Sequence, residues 1–263
     1  MASEKGASTW LTTLPIRAHG FSLHKQAFRD ALCIRYGWDP QGLPSHCSCG
    51  AQFNTTHAFN CHRGAFPTIR HNRIRDLTAQ LLTDVCPSVE IEPHLQPLSG
   101  ETFPHRTTNL EDNARLDVKA LGFWGNARQC AFFDVRVFNP FAPSHANQTI
   151  QSTYRKNEKE KRRQYEKRII DIEHGSFTPL VMSATGGLGP SAGVFYKRLA
   201  RMISQKHISP YCETMKMIQC KLAFSLVDSA GLCLRGARSA LHRPARLDLN
   251  DTPIDMIVSE GRL

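Results

Sequence analysis

Two aspartates carry the first chemical signal. Asp117 lies in Arg115-Leu116-Asp117, and Asp134 follows after sixteen residues in Asp134-Val135-Arg136-Val137. Both stand in alternating runs that read as strands. In Arg115–Leu121, Leu116, Val118 and Ala120 point one way and Arg115, Asp117 and Lys119 the other. In Cys130–Phe138, Ala131, Phe133, Val135 and Val137 share one face, and Phe132, Asp134, Arg136 and Phe138 the opposite one. Gly122, Gly125 and Asn126 supply a short turn, so the spacing predicts a hairpin that brings the two carboxylates together. Converging carboxylates repel unless a cation lies beside them, and hard divalent ions prefer oxygen ligands. Mg2+ (or Mn2+) held there would polarise a phosphodiester and activate water. The competing reading of the pair alone is two exposed strand aspartates with salt-bridge partners.

A second constellation is sulfur-rich. Cys47-Ser-Cys49, His57 and Cys61 place three thiols and one imidazole within fifteen residues, the donor set of a tetrahedral zinc site. Gly50 follows the second cysteine, where a knuckle needs backbone freedom. The one-residue gap between Cys47 and Cys49 is shorter than usual, His46 and His62 flank the set as substitute ligands, and free thiols in a loop are the alternative. A site closed by four protein ligands would be structural, without an open position for chemistry.

The elements that must position these residues can be read from periodicity. Phe28, Ala31, Leu32 and Tyr36 recur at helical spacing within a helical lead-in over 1–45. A helix over Thr68–Thr83 turns Ile69, Ile74, Leu77, Leu81 and Leu82 inward, and a short strand follows at Val89–Ile91. Tyr154–Glu173 is a long charged helix. Its stripe Tyr154, Glu158, Lys161, Tyr165, Ile169, Ile172 faces the sheet, so Lys161 points toward the aspartates. The outward side carries Arg155, Lys156, Lys159, Arg162, Arg163, Lys167 and Arg168, which suits a DNA backbone, although a helix laced with pairs such as Glu158–Arg162 is the plainer account. A buried strand at Pro179–Ala184, a glycine-rich loop at Thr185–Pro190, and helices over Ser191–Ile203 and Glu213–Gly231 complete an α/β layered domain; 241–263 read as a loose tail. The loop could bring backbone N–H groups to a DNA phosphate, or simply turn the chain.

The formal net charge of +10 over 263 residues, with a pI near 9.3, points to a polyanionic partner. Nine cysteines, six of them scattered among apolar residues, do not form a secreted disulfide framework. With no signal peptide and no run of eighteen apolar residues, the chain is expected to be soluble and intracellular, with no membrane partner.

Taken together, these residues resemble a known family. The Asp117 and Asp134 motifs, and the order helix, three strands, helix, strand, resemble the PD-(D/E)XK nuclease pattern, a mixed sheet flanked by helices. With the upstream Cys47, Cys49, His57 and Cys61 knuckle, Arg70-His71-Asn72 opening a helix, and Lys161 and Tyr165 on the later helix, the chain resembles the restriction-like endonuclease of site-specific non-LTR retrotransposons. The resemblance spans roughly 45–190. It implies a CCHC knuckle at 46–66, an endonuclease domain at 67–240, structural Zn2+, and Mg2+ (or Mn2+) on Asp117 and Asp134. It further implies catalytic Lys161 and Tyr165, and DNA contacts from Arg70, His71, Arg115, Arg136, Arg155, Lys159, Arg162 and Arg163. The implied partner is double-stranded DNA in the nucleus, with element RNA as a further candidate, and the implied reaction is a nick that primes reverse transcription. Leu116 replaces the pattern's proline, and Arg136 stands where the broader superfamily has lysine. Arginine stays charged and is a poor proton acceptor, which leaves the lysine role to Lys161. A rival register, Asp117-Val118-Lys119 with Glu111 or Asp112 upstream, ranks second. The competing functional classes are a zinc-dependent nucleic-acid-binding remnant with a decayed nuclease site and a zinc-organised interaction protein.

Overall fold

The computed structural model describes Glu4 and residues 6–237 apart from Asn126 and Ala146; the expected tail at 241–263 lies outside the described residues. Among the described residues, six α-helices and four strands run in the order α1 (Lys25–Tyr36), α2 (Thr55–Asn60), α3 (Phe66–Thr83), β1 (Val89–Ile91), β2 (Val118–Leu121), β3 (Cys130–Phe138), α4 (Ile150–Asp171), β4 (Ser176–Ser183), α5 (Pro190–Lys206) and α6 (Tyr211–Arg235). Helix starts follow local chemistry. Asn54 accepts from the His57 N–H at 2.8 Å to open α2, and Thr149 accepts from the Ser152 N–H at 3.1 Å to open α4. Proline sits in the first turn of both α3 and α5, where its missing N–H costs nothing.

The strands form one mixed sheet in the order β1-β2-β3-β4. The first three are antiparallel, as a hairpin requires, whereas β4 runs parallel to β3 and is reached through α4. Pro179 is paired opposite Asp134 on β4, an edge strand, where a residue without N–H is tolerated. Helices cover both faces. On one, Val118, Ala120, Ala131, Phe133 and Val135 pack against Ile74, Leu81 and Leu82 of α3, Phe195 and Leu199 of α5, and Ile218 and Leu222 of α6. On the other, Phe132 and Phe177 meet Ile169 of α4, while Phe138 and Val181 meet Tyr154. Burial on both faces explains why β3 is apolar almost throughout, with Asp134 interrupting it.

Several expectations are corrected. β2 begins at Val118, not Arg115, because the chain bends at Asp117 opposite Glu92, whose backbone is left-handed at φ 53°. The bend turns Leu116 away from Val118 and into the α4-side core beside Phe132 and Ile169. On α1 the inward face is Asp30, Ala31 and Ile34, leaving Phe28 and Tyr36 exposed. Asp30 is held by Arg235 of α6, which explains how an acid can occupy the inner face. Arg168 is not on the outer surface of α4. It is 0% exposed, and its guanidinium donates to the carbonyls of Asn109, Glu111 and Gln96. The 96–113 loop lies across α4 at that point, so its carbonyls replace water for a buried cation. Helix α6 is long and apolar enough to cross a membrane by length and composition; most of it is buried within the molecule, where it contributes to three core clusters.

Candidate functional site

The acidic pair sits where β2 and β3 meet α3 and α4. Asp117, in the bend that opens β2, is held from two directions: Oδ2 accepts from the Val135 N–H at 2.6 Å, and Oδ1 lies 2.9 Å from Nε2 of His71 on α3. Asp134 is buried in the middle of β3, and its Oδ2 stands 2.8 Å from Nζ of Lys161 on α4. This close ion pair lacks hydrogen-bond alignment, so Asp134 Oδ2 is a buried acceptor without a properly directed donor. Burial raises the Asp134 pKa above the ordinary carboxylate value; Lys161 and His71 pull it down, and the Asp117 charge pushes it up. For Lys161 burial works against the charge. Asp134 outweighs it, with help from Tyr165 and Asp117, and the pKa is raised. The Tyr165 ring packs near the ammonium, 5.6 Å from Nζ to the ring centroid. His71, Asp117, Asp134, Lys161 and Tyr165 therefore form one neighbourhood.

Helical spacing explains Lys161. Tyr154, Glu158 and Ile169 of the expected stripe are buried, and Tyr165 is partly buried beneath the sheet. Lys119, the lysine of the rival register, turns instead to Glu90 at 3.5 Å and packs over the Phe132 ring. His71 is the residue whose place the DNA-contact reading missed: its imidazole is engaged by Asp117. A signal was present, because His71 precedes buried Ile74, Arg75 and Thr78 at helical spacing and so shares the inward face of α3.

A fit test for a divalent cation rests on Asp134 Oδ2. A buried carboxylate oxygen lacking an aligned donor, beside a second carboxylate, is the kind of oxygen a hard cation would take, although Asp117 is already engaged by His71 and the Val135 N–H. Lys161 supplies positive charge at the same oxygen.

The sulfur donors also converge. One ligand atom from each of Cys47, Cys49, His57 and Cys61 lies within 4.8 Å of all the others. Cys47 Sγ and Cys61 Sγ are 3.7 Å apart, Cys49 Sγ and His57 Nε2 3.4 Å, and Cys61 Sγ and Cys49 Sγ 4.0 Å. A tetrahedron with Zn–S bonds of about 2.3 Å has edges of about 3.8 Å, so these separations are compatible with a structural zinc site. Burial raises both buried thiols. At Cys47, hydrogen bonds from the Cys49 backbone and His57 outweigh it and lower the pKa, whereas Cys61 stays raised. His46 turns to Ser45 and His62 is exposed; neither joins the set. The cluster packs within an apolar group containing Ile34 of α1, Phe53, Phe59, Phe66 and Ala230, Cys233 and Leu234 of α6.

The remaining basic residues divide into free and engaged groups. Arg155, Lys159 and Arg163 are exposed on α4. Arg136 is tied to Glu160 at 2.9 Å, Arg162 to Glu166 and Ser191, and Arg115 reaches Glu92 at 3.7 Å. The expected Glu158–Arg162 pair is replaced by the Arg162–Glu166 pair. Glu158 instead accepts from the Ser191 N–H at 2.8 Å and caps α5. Arg70 is corrected: at 3% exposure it does not face solvent. Its guanidinium reaches the carbonyls of Phe59 in α2 and Val137 in β3 and stacks near the Phe59 ring, and burial lowers its pKa. The glycine-rich loop is likewise filled by this chain's own carboxylates. Glu4 accepts from the Tyr154 and Thr185 hydroxyls beside Gly187, and Glu158 occupies the start of α5.

No protein-family model matches the chain, and no curated protein sequence matches it.

Proposed function

We propose that the chain is a metal-dependent DNA endonuclease that nicks target DNA, with a PD-(D/E)XK-like core and a structural zinc knuckle, as in the restriction-like endonucleases of non-LTR retrotransposons. The observation that supports it is the meeting of Asp117, Asp134 and Lys161 across the β2–β3 junction and α4, where the buried Asp134 Oδ2 lacks an aligned donor. In this reading Asp117 and Asp134 hold Mg2+ or Mn2+, which when bound polarises the phosphate and activates water. His71 fixes the orientation of Asp117 through Oδ1, and the Val135 N–H fixes Oδ2. Lys161, whose pKa is raised, stays an ammonium; it serves by placing positive charge beside a phosphate that gains negative charge, not by accepting a proton. Tyr165 keeps water from one side of the ammonium. Exposed Arg155, Lys159 and Arg163, on the outer side of the same helix, supply backbone contacts to duplex DNA. Nuclear location, and use of the nick to prime reverse transcription, follow from the resemblance alone.

One observation favours the reading of a binding remnant: Lys161 already pairs with Asp134, so that carboxylate has a counter-charge without a divalent ion. The two separate in one assay. Supercoiled plasmid with Mg2+ should be converted to open circles by the parent chain and not by Asp134→Ala. A parent that binds the plasmid in a salt-dependent manner but leaves it supercoiled is a binding module. Nicking that survives Asp134→Ala removes the assignment of this site.

A further inference from the structure

Helix α1 ends in an exposed aromatic pair that takes no part in the acidic site or the zinc knuckle. Tyr36 and Trp38 stack with ring centroids 5.0 Å apart and planes inclined by 26°, and remain 52% and 61% exposed. Single exposed apolar side chains are ordinary, but large rings clustered on the surface mark interaction sites. The pair is also rigidly mounted. Gly37 takes the left-handed conformation (φ 71°) that ends the helix, and the Trp38 N–H returns to the Cys33 carbonyl at 2.9 Å. Arg235 of α6 then holds Asp30 in a two-pronged ion pair and the carbonyls of Gln41 and Gly42, pinning the chain on both sides of the rings.

The charges beside the pair are positive and unspent. Lys25, Arg29 and Tyr36 fall on one stripe at helical spacing, and both basic residues are exposed. Arg35 lies 5.7 Å from the Tyr36 ring centroid, and its Nε is buried without a hydrogen-bond partner. Among the described residues no carboxylate pairs with Lys25, Arg29 or Arg35; Asp30 belongs to Arg235, and Asp39, just past Trp38, is the other acid of this segment. Cations that lead along a helix to a fixed stack of open rings match a backbone of phosphates that ends in unstacked bases.

We propose that Tyr36 and Trp38 form a stacking platform for bases of single-stranded nucleic acid, with Lys25, Arg29 and Arg35 following the phosphates. The exposed face of Trp38 continues the existing stack with one base, and the net charge of +10 draws the strand in. The proposal is independent of the acidic site: duplex cutting needs Asp134, whereas this surface needs neither metal nor a reacting phosphate.

Intrinsic fluorescence tests it with the full zinc-loaded chain, without Mg2+. Of the three tryptophans, Trp10 is buried and Trp124 is half-buried against Phe123 and Arg198, so Trp38 is the most exposed to a base. Titration with an oligothymidylate of about twelve nucleotides should quench emission. Trp38→Phe should lose the quench while keeping most of the affinity measured by anisotropy of a labelled strand. Trp38→Leu and Tyr36→Leu should each weaken binding about tenfold or more, with circular dichroism unchanged because both side chains are exposed. Arg29→Gln should lower the salt slope by about 0.7. An oligouridylate arm tells whether DNA or RNA is preferred. Unchanged affinity in Trp38→Leu, or a quench that persists in Trp38→Phe, overturns the proposal, as does an oligonucleotide that produces no quench at all, which would leave the rings to a protein partner. Quenching in a chain that does not nick plasmid keeps the platform and removes only the nuclease reading.

Discussion

Lys161 and Asp134 hold each other in a place where neither would be comfortable alone. The ammonium stands 2.8 Å from a carboxylate that burial already pushes toward its neutral form. Removing one partner of a buried pair typically costs about 3–5 kcal/mol, because the other charge is stranded. Lys161→Ala is therefore expected to lower plasmid nicking by about a hundredfold or more and to raise the Asp134 pKa further, while duplex affinity changes little; equal nicking by the variant would exclude a role for the ammonium. Asp228 of α6 offers a second titration. Burial raises its pKa to about 6, against the pull of Arg73 and His24. A folded-state pKa above the unfolded one gives stability that is fully present below about pH 4 and is lost as pH rises to about 6. Asp228→Asn should thus melt higher than the parent at pH 7, by about 1–2 kcal/mol after the loss to Arg73 is allowed for, and the two curves should meet near pH 4. The direction of Lys161 could be read in the sequence because Tyr154 and Ile169 mark the buried stripe around it. Arg70 and Arg168 could not. Periodicity counts arginine as surface, and only the tertiary structure supplies the carbonyls of Phe59, Val137, Gln96, Asn109 and Glu111 that let a guanidinium be buried.

Helix α4 joins the sheet, the acidic site and α5. Its inner side carries Tyr154 and Ile169 for packing, Lys161 for Asp134, and Glu158, whose carboxylate satisfies the Ser191 N–H at the start of α5. A carboxylate at a helix N-terminus is favourable both as hydrogen-bond acceptor and as a charge against the dipole. Glu158→Ala should destabilise the fold by about 1–3 kcal/mol, whereas Lys159→Ala, one residue on and exposed, should stay within about 0.5 kcal/mol; thermal unfolding at matched pH and salt measures both. Strong periodicity made the long elements legible, β1 lies where a short strand is expected, and β3 begins and ends where the alternation says. The start of β2 was hidden because a bend at Asp117, opposite left-handed Glu92, breaks an alternation that the residue types alone continue. The glycine-rich loop was legible as a turn before α5, but its occupants, Glu4 and Glu158, come from elsewhere in the chain.

The zinc candidates and the rest of the molecule share one apolar group: Cys47 and Cys61 lie with Ile34 of α1 and with Ala230, Cys233 and Leu234 near the end of α6. About one zinc per chain is expected, Cys49→Ser should lose it, and chelation should destabilise α1 and the end of α6 along with the knuckle. Hydrogen exchange should therefore quicken at Ile34 and Leu234 when metal is removed; exchange that changes only within 46–62 would show that the knuckle stands apart. The spacing of the four ligands was visible in the sequence, but their packing against a helix roughly two hundred residues away was not, since no local pattern encodes it. Helix α6 also supplies Ile218 and Leu222 to the core above the sheet and Cys220, Ala223 and Phe224 to the group around Trp10 and Phe21. During synthesis that helix is the last of the described elements to leave the ribosome. Until it does, the apolar groups around Trp10, around the knuckle and above the sheet each lack a wall. The nascent chain can close its β2–β3 hairpin early, but the early-made thiols wait for the late-made helix before they are sheltered, and a ribosome stalled before residue 211 would hold a chain whose knuckle still lies open to oxidation.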